Sequence, residues 1–138
     1  MTVDCVLDTN VLVYAAARPG TEEKKRSKAR ELIALPFGLS GQILQEFFVT
    51  VTRKVQVPMR SVEALEWIEQ FEEQPCVPID VSLVKRGIES AERYKISYWD
   101  GAIIAAAETL RAGILYTEDL NDGQLYGSVR VVNPFANL

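Results

Sequence analysis

Histidine is absent from the 138-residue chain. That removes Ser-His and Cys-His nucleophile pairs, histidine acid–base cleavage of phosphodiesters and histidine-ligated metal hydrolysis together. Cysteine is scarce: Cys5 and Cys76 lie in short apolar segments, and two are too few for a disulfide framework or a four-thiolate zinc site. A reducing cytoplasm is the simple reading. None of the eight glycines builds a G-x-G-x-x-G or G-x-x-x-x-G-K-S/T phosphate loop, so nucleotide-dependent chemistry has no support. No apolar run approaches the ~18 residues that span a bilayer. Asp4, Asp8 and Asn10 interrupt what would be the apolar part of a signal peptide, so neither membrane insertion nor secretion is expected. A basic excess is also missing, because 15 Lys and Arg against 19 Asp and Glu leave a net charge of -4. This argues weakly against a nucleic-acid partner, but a local patch or a bound divalent cation can hold phosphate on an acidic protein.

What is present points to one compact domain: 48% of residues are hydrophobic and 25% charged, a balance typical of a single globular core. The run from Val3 to Leu7 reads as a buried strand that delivers Asp8 to a sheet edge, followed through Thr9-Asn10 by a short helix. Arg18-Pro19-Gly20-Thr21 breaks the pattern, and Thr21 or a neighbour caps a helix of about Glu22 to Leu35. The basic run Lys24, Lys25, Arg26, Lys28 and Arg30 reads as a solvated face, with phosphate contact as the sharper alternative. A short strand at 36–39 precedes a Ser40-capped helix to about Lys54, with Glu46 on the margin of its apolar stripe. Ser61 is expected to cap the next helix, which carries Leu65 and Trp67, and Cys76-Ile79 is extended. Asp80 or Ser82 then starts a helix with Leu83, Val84, Ile88, Ala91 and Tyr94 facing inward. Ser97 caps an alanine-rich helix that contains Asp100, with Gly113 as its left-handed terminator. Strands at 114–117 and 129–132 complete the chain. Strands alternating with helices, and near-continuous apolar strand runs, predict an α/β domain with a mostly parallel sheet flanked by helices on both faces.

In such a sheet ligands gather beyond the carboxyl ends of the strands. Asp8 and Asp119 are placed there, Asp100 begins a helix, and Glu46 lies about one and a half turns into the helix after the second strand. Taken singly, each acid reads equally well as a turn, cap, loop or surface residue. Together they would repel and raise one another's pKa unless a cation neutralised them. An all-oxygen set favours Mg²⁺ or Mn²⁺, whose bound water suits phosphodiester hydrolysis. Arg53, Lys54 and the 24–30 run are candidate phosphate contacts.

Asp8-Thr9-Asn10, Glu46 after Ser40, Tyr98-Trp99-Asp100 and Thr117-Glu118-Asp119, in this order, resemble the motif series of PIN-domain nucleases, and most closely the VapC-type toxins of bacterial toxin–antitoxin systems. The ending through Asn133-Pro134-Phe135 is similar to one subgroup of these. The resemblance spans nearly all of the chain and implies a single PIN-like domain over residues 1–138. It further implies a metal-dependent endoribonuclease acting on RNA in the cytoplasm, homodimeric and held inactive by a cognate antitoxin protein. Asp8, Glu46, Asp100 and Asp119 would be catalytic metal ligands, with Asn10, Thr117 and Asp122 in support. Gly101 stands where many relatives carry Ala, and Gly there costs the helix about 1 kcal/mol. The alternative within the fold is a catalytically inactive RNA-binding or protein-interaction module, whose signature would be a lost acid; none is lost. A haloacid-dehalogenase-like phosphatase would need an acid at position 10, which is Asn. A receiver domain lacks its Asp on a middle strand and its late Lys.

Overall fold

A computed structural model describes residues 2–138. The strands are β1 (Cys5–Leu7), β2 (Leu39–Ser40), β3 (Cys76–Val77), β4 (Ile114–Tyr116), β5 (Leu125–Tyr126) and β6 (Val129–Val132). The helices are α1 (Thr9–Ala16), α2 (Glu23–Ile33), α3 (Gly41–Val49), α4 (Ser61–Phe71), α5 (Val81–Tyr94) and α6 (Tyr98–Thr109), and a π-helical turn over Thr50–Lys54 prolongs α3. β1, β4 and β6 pair in parallel, with β5 antiparallel on the far side of β6. The parallel pair β2–β3 joins along β1 through the bridge between Val6 and Gly38. Val6 and Leu7 point to opposite faces of β1, yet both are fully buried, so both faces of the sheet are covered. No helix of the described residues is long and apolar enough to cross a membrane.

The central helix is α6, buried along Gly101–Ala107 without interruption. Its partner α5 approaches closely because small residues face each other: a Cβ at Gly101 would stand 2.6 Å from the Gly87 carbonyl oxygen and 2.7 Å from the Ala91 nitrogen. Gly101 is therefore a packing requirement that outweighs its cost in helix propensity. The same demand explains why α5 buries Leu83, Gly87 and Ser90 and leaves the expected core residue Ile88 exposed. Leu65 on α4 is likewise exposed, whereas Trp67 is half-buried.

Helix ends differ from expectation where tertiary contacts decide them. The left-handed residue that ends α6 is Arg111 (φ 55°), not Gly113. The Ala112 amide reaches the Ala107 carbonyl at 3.0 Å and the Arg111 amide that of Glu108 at 3.0 Å, which together form a Schellman closure. Glu22, in the left-handed region, precedes α2, and no side chain caps that helix. Ser61 is the first residue of α4 and not its cap, and the Glu63 carboxylate reaches back to the Arg60 amide at 3.4 Å. Ser40, Asp80 and Ser97 do cap their helices through side-chain oxygens. The hairpin of β5 and β6 was not anticipated. Gly127 (φ 63°) and Ser128 turn it, and a glycine at the first position of a two-residue loop suits such a turn.

Candidate metal centre

The parallel register Leu7 opposite Tyr116 brings the next residues of two strands, Asp8 and Thr117, to one sheet edge. The Asp8 amide continues the ladder to the Tyr116 carbonyl at 3.0 Å, and the Thr117 amide continues it to that of Val132 at 3.1 Å. Both side chains are buried. Asp8 also caps α1: its Oδ1 accepts from the Thr9 amide at 2.7 Å, while its Oδ2 accepts from Thr117 Oγ1 at 2.7 Å. Thr9 and Asn10 thus belong to the helix rather than to a turn. Asn10 Nδ2 donates to Thr117 Oγ1 at 3.2 Å and to Asp119 Oδ2 at 3.1 Å, which ties the second strand-end acid to the first.

From α3, Glu46 Oε1 accepts from Thr9 Oγ1 at 3.0 Å. Gln42, one turn earlier and buried, places its Nε2 3.5 Å from Glu46 Oε2 and 3.0 Å from the Trp99 carbonyl oxygen. Asp100 stands in the first turn of α6, where its own amide donates to the Ser97 cap. Asp8, Glu46, Asp100 and Asp119 all line one cleft of about 630 Å³, with Asn10, Gln42, Lys54, Trp99 and apolar Val13, Val49 and Ile103 among its other walls. Asp122 lies elsewhere: it is exposed, is not part of the cleft wall, and accepts the Asn133 amide at 2.8 Å.

Burial pushes the Asp8 carboxyl up to about 7, and the charges of Asp119 and Glu46 add to this, against the hydrogen bonds from Thr117 and Thr9. Asp100 is also raised, chiefly by burial and further by Asp119, with hydrogen bonding to Ser97 opposing. The acids therefore sense one another electrostatically. Among the described residues no three acidic or cysteine side chains are arranged to hold an ion as they stand, although all four acids line the same cleft. The donor set still fits a hard divalent cation: it is all oxygen, its most buried carboxylate is strained toward neutrality, and Asn10 Oδ1 is a buried acceptor with no hydrogen-bond partner.

Of the candidate phosphate contacts, Lys54, on the π-helical turn, lines the cleft; Arg53 and the 24–30 run do not. The run is mostly engaged within the molecule. Arg30 Nε and Arg26 Nε each donate at 2.9 Å to carbonyls at the end of α1, those of Ala15 and Ala17. Lys28 pairs with Glu31 at 3.8 Å. Lys25 Nζ pairs with Glu118 at 3.0 Å and reaches Tyr14 Oη at 3.2 Å, while Tyr14 Oη donates to Glu118 at 2.6 Å. Phe135 of the Asn133-Pro134-Phe135 ending packs edge-on against Tyr14 at 5.0 Å. Sequence reasoning gave no role to Thr9, quoted only within Asp8-Thr9-Asn10, nor to Gln42 or Tyr14. Besides that motif, Gln42, four residues before Glu46 on one helix face, left a readable signal.

The family model described as "PIN domain" matches residues 5–122. Among solved structures, the chain is similar to VapC20 of Mycobacterium tuberculosis, a sarcin-ricin loop cleaving toxin. The TM-score is 0.67 at 16% identity, covering 83% of this chain and 89% of that one. It is also similar to a chain of FitAB bound to an IR36 DNA fragment (TM-score 0.67, 23% identity, 94% of each chain). A third similar structure is a toxin–antitoxin complex from Klebsiella pneumoniae (TM-score 0.69, 20% identity, 95% of this chain and 98% of that one). No curated protein matches the chain. At these identities the structural likeness speaks to the fold.

Proposed function

The chain belongs to the PIN-domain family, and from that premise we propose that it is a Mg²⁺- or Mn²⁺-dependent endoribonuclease, the toxin of a toxin–antitoxin pair. The observation that carries this reading is the register of β1 and β4, which sets Asp8 beside Thr117 and, through Asn10, ties in Asp119. Glu46 and Asp100 line the same cleft from α3 and α6. Asp8, Glu46, Asp100 and Asp119 would hold the ion. When bound, the ion supplies an activated water and neutralises charge on the phosphate and the leaving 3′ oxygen.

The chain's own groups prepare that site. Thr117 Oγ1 holds its proton on Asp8 Oδ2 and keeps that oxygen an acceptor, while Asn10 Nδ2 fixes Asp119 Oδ2. Thr9 and Gln42 hold both oxygens of Glu46 and so aim its carboxylate. Lys54 offers the one positive charge among the cleft-lining residues, suited to a phosphate of the substrate strand. Asp122 serves the Asn133 amide and not the chemistry.

Residues 1–138 act on this reading as one nuclease domain, homodimeric, cytoplasmic and restrained by a cognate antitoxin. Support for the partner comes from the similar toxin–antitoxin complex, and for RNA from the similar sarcin-ricin loop cleaving toxin. The test is cleavage of single-stranded and loop-containing RNA by purified protein with Mg²⁺, with Mn²⁺ and with chelator. Cleavage should need the ion and vanish in Asp8→Asn and Asp100→Asn proteins that remain folded. Activity without metal, or full activity in both variants, refutes the mechanism. RNA binding without cleavage would mark an inactive binding module.

A further inference from the structure

Trp99 is 62% exposed although it adjoins Asp100 and forms part of the cleft wall. Its position is held. Gln42, buried on α3, donates to its carbonyl oxygen at 3.0 Å, and Tyr98 packs edge-on against the indole at 5.1 Å with ring planes 76° apart. The backbone is thus pinned while the residue stays largely exposed. A cleft of about 630 Å³ exceeds what an ion and a phosphate fill, and falls within the roughly 300–1,000 Å³ of sites that bind small organic ligands. Its lining residues include two kinds: carboxylates and Lys54, suited to metal and phosphate, and the apolar side chains of Trp99, Val13, Val49 and Ile103, of which Trp99 is the flat one.

We propose that Trp99 is a stacking platform for an unpaired base next to the scissile phosphate, and that it restricts the enzyme to single-stranded or looped RNA. The proposal rests on the nuclease reading for its substrate. A base inside a duplex is already stacked on both faces and cannot offer one to the indole, whereas an unpaired base can. Every base has such a face, so the contact selects strand state and not sequence. Lys54, in the same cleft, attracts the backbone and makes no such distinction.

The experiment uses the full chain carrying Trp67→Phe, which leaves Trp99 the sole indole of the two in the chain; circular dichroism checks the fold. Its emission is titrated with an oligouridine 12-mer, with a 12-mer of the same length that is abasic throughout, and with a blunt RNA duplex. Ca²⁺ replaces Mg²⁺, and gels verify that the RNA stays intact. Quenching by oligouridine alone is expected, with affinity for the other two ligands weaker by about five- to 140-fold. In the otherwise unaltered chain, Trp99→Ala should weaken oligouridine binding by the same range and raise KM with kcat little changed, and Trp99→Phe should restore most of the loss. Unchanged emission, equal affinity for the abasic strand, or no binding overturns the proposal. So does Trp99 emission that shifts with protein concentration in the absence of RNA, which would place the indole in an interface between copies. Quenching without cleavage by the unaltered chain would remove the nuclease reading and leave the platform standing; cleavage without quenching would do the reverse.

Discussion

Thr117 gives its one hydroxyl proton to Asp8 Oδ2, because the other two contacts on its oxygen come from N–H donors, Asn10 Nδ2 and the Asp119 amide. Thr117→Val would leave all three partners short of a bond, the Asp8 oxygen in a buried place and the two N–H donors in partly buried ones. We expect a loss of about 1.5–3 kcal/mol in urea unfolding, the range for hydrogen bonds to charged groups, and a fall in activity of at least about tenfold. Thr117→Ser, which keeps the hydroxyl, should recover most of both. Equal behaviour of Val and Ser would mean that the hydroxyl proton does not matter.

Metal-free stability should fall as pH rises. The folded-state pKa of Asp8 is about 7 against an ordinary 3.8, so between these values the folded chain keeps a proton that the unfolded chain has released. The contribution is full below pH ~4 and lost through pH ~7, with a total on the order of 4 kcal/mol. Asp100, also raised, acts in the same direction. Asp8→Asn removes the Asp8 share of the dependence and leaves that of Asp100. An amide has one oxygen for two donors and forfeits about 1 kcal/mol, yet the variant should unfold no earlier than the parent at pH 8 in chelator. Excess Mg²⁺ should flatten the parent's curve. A lower melting temperature for the variant at pH 8 would show that Asp8 is mainly structural.

Glu46→Gln retains an oxygen for the Thr9 hydroxyl and should fold normally. Cleavage should drop by on the order of 100-fold, as befits an anionic donor to the ion. Isothermal titration with Mn²⁺ should show the same loss in affinity, which separates a donor from a residue that only packs.

Asp122→Ala should leave cleavage within about twofold. Its carboxylate is bonded to the Asn133 amide, so the variant should lose about 1 kcal/mol of stability. A drop in activity as large as that of Glu46→Gln would return Asp122 to the site.

Gly101→Ala is the case in which helix propensity and packing disagree. Propensity favours the substitution by about 1 kcal/mol, but the added methyl meets the backbone of α5 at 2.6 and 2.7 Å, and overpacking costs about 1–3 kcal/mol. We expect net destabilisation and, because Asp100 is the preceding residue, weaker Mn²⁺ binding.

The strands that carry the acids were legible because burial on both faces leaves continuous apolar runs such as Cys5-Val6-Leu7 and Ile114-Leu115-Tyr116. β5 was not: it has two residues, and its legible signal, Gly127-Ser128, lies in the turn. Hydrophobicity misread α5, since Gly87 and Ser90 face the core for their smallness while Ile88 does not. The termini misread at Thr21, Ser61 and Gly113 depend on backbone conformations set by neighbouring elements, which no local preference encodes. The order of the acids was readable, but the bonds that orient them join residues such as Thr9 and Glu46, 37 positions apart. Polar contacts of that reach have no periodicity.

The sheet ends on β3 and β5, two residues each. Strands so short offer almost no free ladder for another chain to extend, and this guards against fibrous edge-to-edge association. Self-association of this protein therefore has to rest on side-chain contacts, because backbone pairing can add little to hold copies together.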